Sequence, residues 1–127
     1  MEETVKDWID QAKADLKTAT DSLTAGNYYA SAFFSQQSAE KSLKAVYIHL
    51  KNALPPKIHD LVSLGGMIDA PNNLLLLSEK LTATYIFSRY PGAAPKIPVK
   101  FYTKEKAEIH LKEAEAIVQW AKKKIEL

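Results

Sequence analysis

Between Tyr28 and Lys51 the chain is apolar on almost every side of a helical cylinder, and this segment constrains the rest of the fold. Ala30, Ala32, Phe33, Phe34, Ala39, Leu43, Ala45, Val46, Tyr47, Ile48 and Leu50 leave little helical surface for water. A helix apolar nearly all round belongs at the centre of a bundle or at a subunit contact. Ala32, Ser35, Ala39 and Ser42 add a strip of small side chains along which another helix can approach closely.

The flanking segments have the one-sided pattern that such a centre requires. Val5, Ile9, Ala12, Leu16, Ala19 and Leu23 recur at steps of four and three, as do Ala107, Leu111, Ala114, Val118, Ala121 and Ile125. Lys106, Glu113 and Lys123 mark a charged, half-exposed face on the last helix. Thr4 with Asp7 predicts an N-cap pair for the first helix and Thr103 a cap for the last, while Gly26 marks the first helix's end. Pro55-Pro56 ends the central helix. A short helix follows from about His59 to Ile68, weakened by Gly65-Gly66, and another runs from Pro71 through Leu74, Leu77, Leu81, Tyr85 and Ser88. Pro91, Pro95 and Pro98 exclude a helix from residues 90–102. The expected fold is all-α: one antiparallel up-and-down helical bundle over residues 1–127, with four main helices and one short one.

This topology sets an expectation about position. A short helix making a full pass brings the Pro55–His59 connection to the pole where the fourth helix ends, near Arg89. Ten helical residues rise only about 15 Å against about 36 Å for 24 residues, so a partial pass is the alternative.

Composition removes several function classes. With no cysteine among 127 residues, disulfides, thiolate metal sites and cysteine nucleophiles are absent. No apolar run is long enough to cross a bilayer, and Met1-Glu2-Glu3-Thr4 does not open a secretory signal, so a cytoplasmic protein is expected. A net charge of +2 permits a local basic patch but announces no nucleic-acid binder. His49, His59 and His110 are scattered without carboxylates at ligand spacing, and no phosphate-cradling glycine loop or nucleophile elbow occurs. No metal, cofactor or catalytic residue is nominated.

Two polar features remain. Arg89 is the single arginine among 17 Lys and Arg residues, and it stands before a proline-rich loop bearing Lys96, Lys100 and Lys104. Its planar fork of donors suits phosphate or carboxylate, whereas the plain alternative is a cation favoured at a helix end. On the central helix, Phe33, Gln37, Glu40, Lys41 and Lys44 lie within one or two turns of each other, and Glu40 can pair with Lys44. They form either a solvated seam of weak ion pairs or a partly buried Glu40 anchoring a cation from another helix, Arg89 being the candidate. Asp60 suits the first turn of the short helix, and His59 suits a ligand contact or proton donor.

The sequence resembles the HEPN-domain family over essentially its whole length. The resemblance rests on Gly26-Asn27-Tyr28-Tyr29, Ala32-Phe33, Gln36-Gln37, the run Ala39 to Ala45, Pro56, His59-Asp60-Leu61, Ser88-Arg89-Tyr90-Pro91 and Tyr102-Thr103. Trp8, Ala12, Asp15 and Leu16 match the family's opening helix, and Ala107 and Ala114 its last. The resemblance implies a helical bundle that is commonly a homodimer, often encoded beside a small nucleotidyltransferase, sometimes as a toxin–antitoxin pair. Some members are metal-independent RNases in which a histidine follows the arginine by four to six residues. Here the next histidine after Arg89 is His110, so that motif is missing. The chain instead resembles the His-Asp-Leu and Arg-Tyr-Pro branch, with Gly92 where an Asp often stands.

These features lead to three readings. In the preferred one, a non-catalytic module pairs with a small nucleotidyltransferase and binds a nucleotide or RNA phosphate. Arg89, Tyr90, His59 and Lys44 form the pocket, with Gln37, Glu40 and Asp60 beside it. In the second, an RNase toxin uses an altered site with His59 as acid–base, which a His59–Arg89 separation above about 10 Å would remove. In the third, Arg89 only locks Glu40.

Overall fold

The computed structural model describes residues 1–126. They form α1 (Glu2–Thr24), α2 (Tyr28–Lys51), α3 (Leu61–Met67), α4 (Asn72–Thr82), α5 (Thr84–Phe87), α6 (Pro98–Phe101) and α7 (Lys104–Ile125), with no strand among the described residues. The apolar α2 is the central element: α1 and α7 pack along it and against each other, and α3 and α4 close another side. Ala32, Ala39, Leu43, Ala45 and Val46 are fully buried, as expected for a helix enclosed by neighbours. The small strip is buried with them, since Ser35 and Ser42 are also inaccessible.

The α1–α2 turn follows from Gly26, whose φ of 82° lies in the left-handed region that glycine adopts without steric cost. Asp15 of α1 is buried and accepts a 2.5 Å hydrogen bond from Lys41 Nζ of α2, tying the two helices together. Thr103 caps α7 as expected, accepting from the Lys106 backbone N–H at 3.2 Å. Asp60 caps α3 in the same way, accepting from the Val62 N–H at 3.0 Å.

Several boundaries differ from expectation, each for a local reason. α1 begins at Glu2 with Met1 as N-cap, so Thr4 and Asp7 lie inside the helix and cap nothing. α2 stops before the prolines because Asn52 takes a left-handed conformation (φ 50°). The fourth helix is interrupted at Ala83, dividing it into α4 and α5. Residues 98–101 form one helical turn with Pro98 at its start, where a missing N–H costs nothing. Glu113, assigned to the exposed face of the last helix, is buried beside His110.

The route from α2 to α3 also differs. The chain does not make a full helical pass. After Asn52 it returns without helix until Leu61, and the His59 carbonyl accepts a 3.1 Å hydrogen bond from Gln36 Nε2, in the first half of α2. The His59 segment therefore meets the body of α2 and not its end.

Candidate functional site

Buried Gln36, Glu40 and Lys44 succeed one another at one-turn intervals on α2. Glu40, with its side chain only 6% exposed, accepts from Lys44 Nζ at 3.0 Å and from Gln36 Nε2 at 3.2 Å. His59 Nδ1 stands 3.0 and 3.2 Å from the two Glu40 oxygens. An ionised carboxylate can only accept, so the shared hydrogen belongs to Nδ1 and Nε2 is left for another partner. Gln37 Nε2 donates to Gln36 Oε1 at 2.7 Å and extends the network outward.

The His59 ring stacks on Tyr85 of α5 with centroids 3.9 Å apart and planes 12° from parallel. Tyr85 reaches α2 because α5 packs on it, and it also lies beside Phe33, centroid to centroid 6.4 Å. Four residues after Tyr85 comes Arg89, whose guanidinium carbon stands 4.8 Å from the Tyr85 ring centre, 5.3 Å from Tyr90 and 5.7 Å from Phe33. All are within the range of cation–π attraction. The separation of the His59 ring and the guanidinium cannot exceed the sum of their two distances to Tyr85, which is inside the 10 Å limit set for the two to act together.

Arg89 is exposed and forms no ion pair with any described residue. It does not lock Glu40, whose cationic partner is Lys44 of its own helix, with His59 beside it. The reading in which Arg89 serves only as that lock is therefore overturned. The donors of Arg89 face solvent over an aromatic bed, next to a cleft of about 440 Å³ lined by Tyr29, Ala30, Phe33, Phe34, Ser88 and Arg89. A cavity of about 500 Å³ lies elsewhere, against Val5, Ile9, Ile48, His49 and Ile125, and contains none of these groups.

The local backbone holds Arg89 in place. Ser88 is buried and donates to the Thr84 carbonyl at 2.5 Å, and the Arg89 and Tyr90 N–H groups both donate to the Ile86 carbonyl at 3.1 Å. The following turn bonds the Ala93 N–H to the Tyr90 carbonyl at 3.3 Å, with Gly92 at φ 91°. Proline followed by a positive-φ residue is the type II pattern, which disfavours aspartate at the second place. Space is not the constraint, because a Cβ on Gly92 meets nothing within 4 Å.

Of the residues singled out in the sequence, Arg89, Tyr90, His59, Glu40 and Gln37 fall into this one neighbourhood. Lys44 is turned inward, paired with Glu40 and 5.8 Å from the Trp8 ring, so it supports the site and does not face a ligand. The Asp60 carboxylate is occupied by Val62, Ser63 and Thr82. Tyr85, which joins His59 to Arg89, stands out in the sequence only as an apolar position. Its place one turn before Arg89 is the available signal.

Comparison with known proteins agrees with the helical fold. The family model for the HEPN domain matches residues 5–125. TT1696 from Thermus thermophilus is similar at 33% identity and a TM-score of 0.85, covering 94% of this chain and 97% of its own. ST0689, an archaeal HEPN homologue, is 31% identical with a TM-score of 0.81, covering 95% and 97%. An HEPN domain protein from Thermotoga maritima is 26% identical with a TM-score of 0.72, covering 92% and 95%. No curated protein matches the chain.

Proposed function

Because the chain belongs to the HEPN-domain family, we propose that it is a non-catalytic binding module whose Arg89 grips the phosphate of a nucleotide or RNA. The observation that carries this reading is the uncompensated guanidinium held over Phe33, Tyr85 and Tyr90 beside an aromatic cleft. Arginine suits phosphate geometry, and the exposed Tyr90 ring, beside half-buried Phe33 and Tyr85, offers a face on which a base can stack. The module acts in the cytoplasm as a homodimer with a small nucleotidyltransferase, in a pair of the toxin–antitoxin kind. No helix among the described residues is long and apolar enough to cross a membrane, which is compatible with that setting.

Calorimetric titration of mononucleotides into the wild type and Arg89→Ala tests the ligand. Loss of a charge-assisted contact should weaken binding at least about tenfold. Stability should change by under about 1 kcal/mol, as for an exposed cation–π contact. Equal binding by both proteins, or none by either, would reject the reading. A native mass measurement with and without the nucleotidyltransferase tests the partner.

One contact favours a second reading, a metal-independent RNase with an altered site. The Glu40–His59 hydrogen bond orients an imidazole whose Nε2 is available as a proton acceptor near Arg89. Cleavage of single-stranded RNA by the wild type but not by His59→Gln would support it. Intact RNA with both proteins would reject it.

A further inference from the structure

Another concave site is formed by α4, α5, α6 and the start of α7. It is a cavity of about 270 Å³ with an apolar floor of Phe87, Phe101 and Ile109. The Phe87 and Phe101 rings meet edge to face, with centroids 5.8 Å apart and planes at 76°. Such a floor accepts a flat or slender apolar group, and the volume limits the ligand to about the size of one ring or a short acyl chain.

The rim of this cavity carries two lysine ammonium groups and an imidazole. Lys80, Lys106 and His110 border it, and no aspartate or glutamate does. Neither lysine has a carboxylate partner within 4.0 Å among the described residues. Lys106 Nζ lies 3.7 Å from the Phe101 ring centre and 3.3 Å from the Phe101 carbonyl. The ammonium is thus brought to the mouth of the cavity without being neutralised. His110 Nδ1 contacts the buried Glu113 carboxylate at 2.8 Å, which fixes the ring and leaves Nε2 as its second hydrogen-bonding atom. Tyr102 completes the wall with its hydroxyl kept neutral, since burial raises its pKa above 10.0 and Thr84 only partly offsets this.

We infer that this cavity is a ligand site for a small amphipathic carboxylate, either aryl or short acyl. Its apolar body lies against Phe87, Phe101 and Ile109, and its anionic head meets Lys106, Lys80 and His110. The site uses none of the residues that surround Arg89, so it stands or falls independently of the nucleotide reading.

Heteronuclear NMR titration of the full chain with benzoate, hexanoate, inorganic phosphate and benzamide tests the proposal. Benzoate, hexanoate or both should give saturable shifts at Phe87, Phe101 and Ile109, identifying the preferred body. Benzamide lacks the charge and phosphate lacks the body, so neither should saturate these signals. Lys106→Gln removes the ammonium charge while leaving a polar side chain beside Phe101, and should weaken carboxylate binding about tenfold. Arg89→Ala should leave it unchanged. No saturation with either carboxylate, or equal affinity for benzamide, overturns the proposal. So does unchanged affinity in Lys106→Gln. Shifts that follow protein concentration instead of ligand would show that a second copy covers the cavity, and would overturn it equally.

Discussion

Glu40 shows how much one buried carboxylate can organise. It joins a buried lysine, a buried glutamine and an exposed histidine through contacts of 3.0 to 3.2 Å. Removing one member of a buried pair leaves the other charge without compensation, which costs more than the pair itself contributes. Glu40→Ala should therefore lower unfolding stability by about 3 kcal/mol, measured by urea denaturation, because Lys44 stays buried without a counter-charge. A loss below about 1 kcal/mol, the range of exposed pairs, would mean that Lys44 escapes to solvent. The sequence presents Glu40 and Lys44 as a helix-spaced pair without showing their depth. The third partner, His59, comes from a segment 19 residues away in sequence, which no local periodicity can reveal.

At the level of elements, α3 depends on its cap. It has only seven residues; the Asp60 carboxylate accepts from the Val62 N–H in its first turn, while the Leu61 N–H donates to Thr82 Oγ1. Asp60→Ala should cost about 1 kcal/mol and increase hydrogen exchange at the Val62 and Ser63 amides. Unchanged protection there would show that packing alone maintains the helix. The sequence places Asp60 in the first turn of this helix, where a negative charge is favoured; it stands one residue ahead of the helix, as its cap. α2 was legible for a stronger reason, since a segment apolar on almost every side belongs at a bundle's centre or at a subunit contact, and here its neighbours enclose it. Other features were not. Ala83 interrupts the fourth helix without a glycine or proline to announce it, and the single turn of α6 forms after Pro91 and Pro95 because Pro98 stands at its first position. The aromatic bed under Arg89 was only partly legible, because Phe33 belongs to α2 while Tyr85 comes from α5 and Tyr90 from the turn after it.

Across the whole molecule, Tyr102 links alkaline titration to folding. Burial raises its hydroxyl pKa above 10.0 in the folded chain. As pH climbs, the unfolded chain therefore loses this proton first. The contribution of the neutral phenol is complete below pH 10.0 and is lost as pH rises through the higher folded value. Thermal unfolding of Tyr102→Phe should show a shallower alkaline decline than the wild type, and parallel curves above that pH would contradict the assignment. The returning segment before α3 has another consequence. Phe33 is in place once the first two long helices pair, but His59 arrives only with the doubled-back chain, and Tyr85 and Arg89 arrive with α5. If the proposed site takes a phosphate, such a ligand would distinguish a finished chain from a half-assembled one. By mass action it would raise the melting temperature of the complete fold and give nothing to its intermediates, so occupancy would report that assembly has ended.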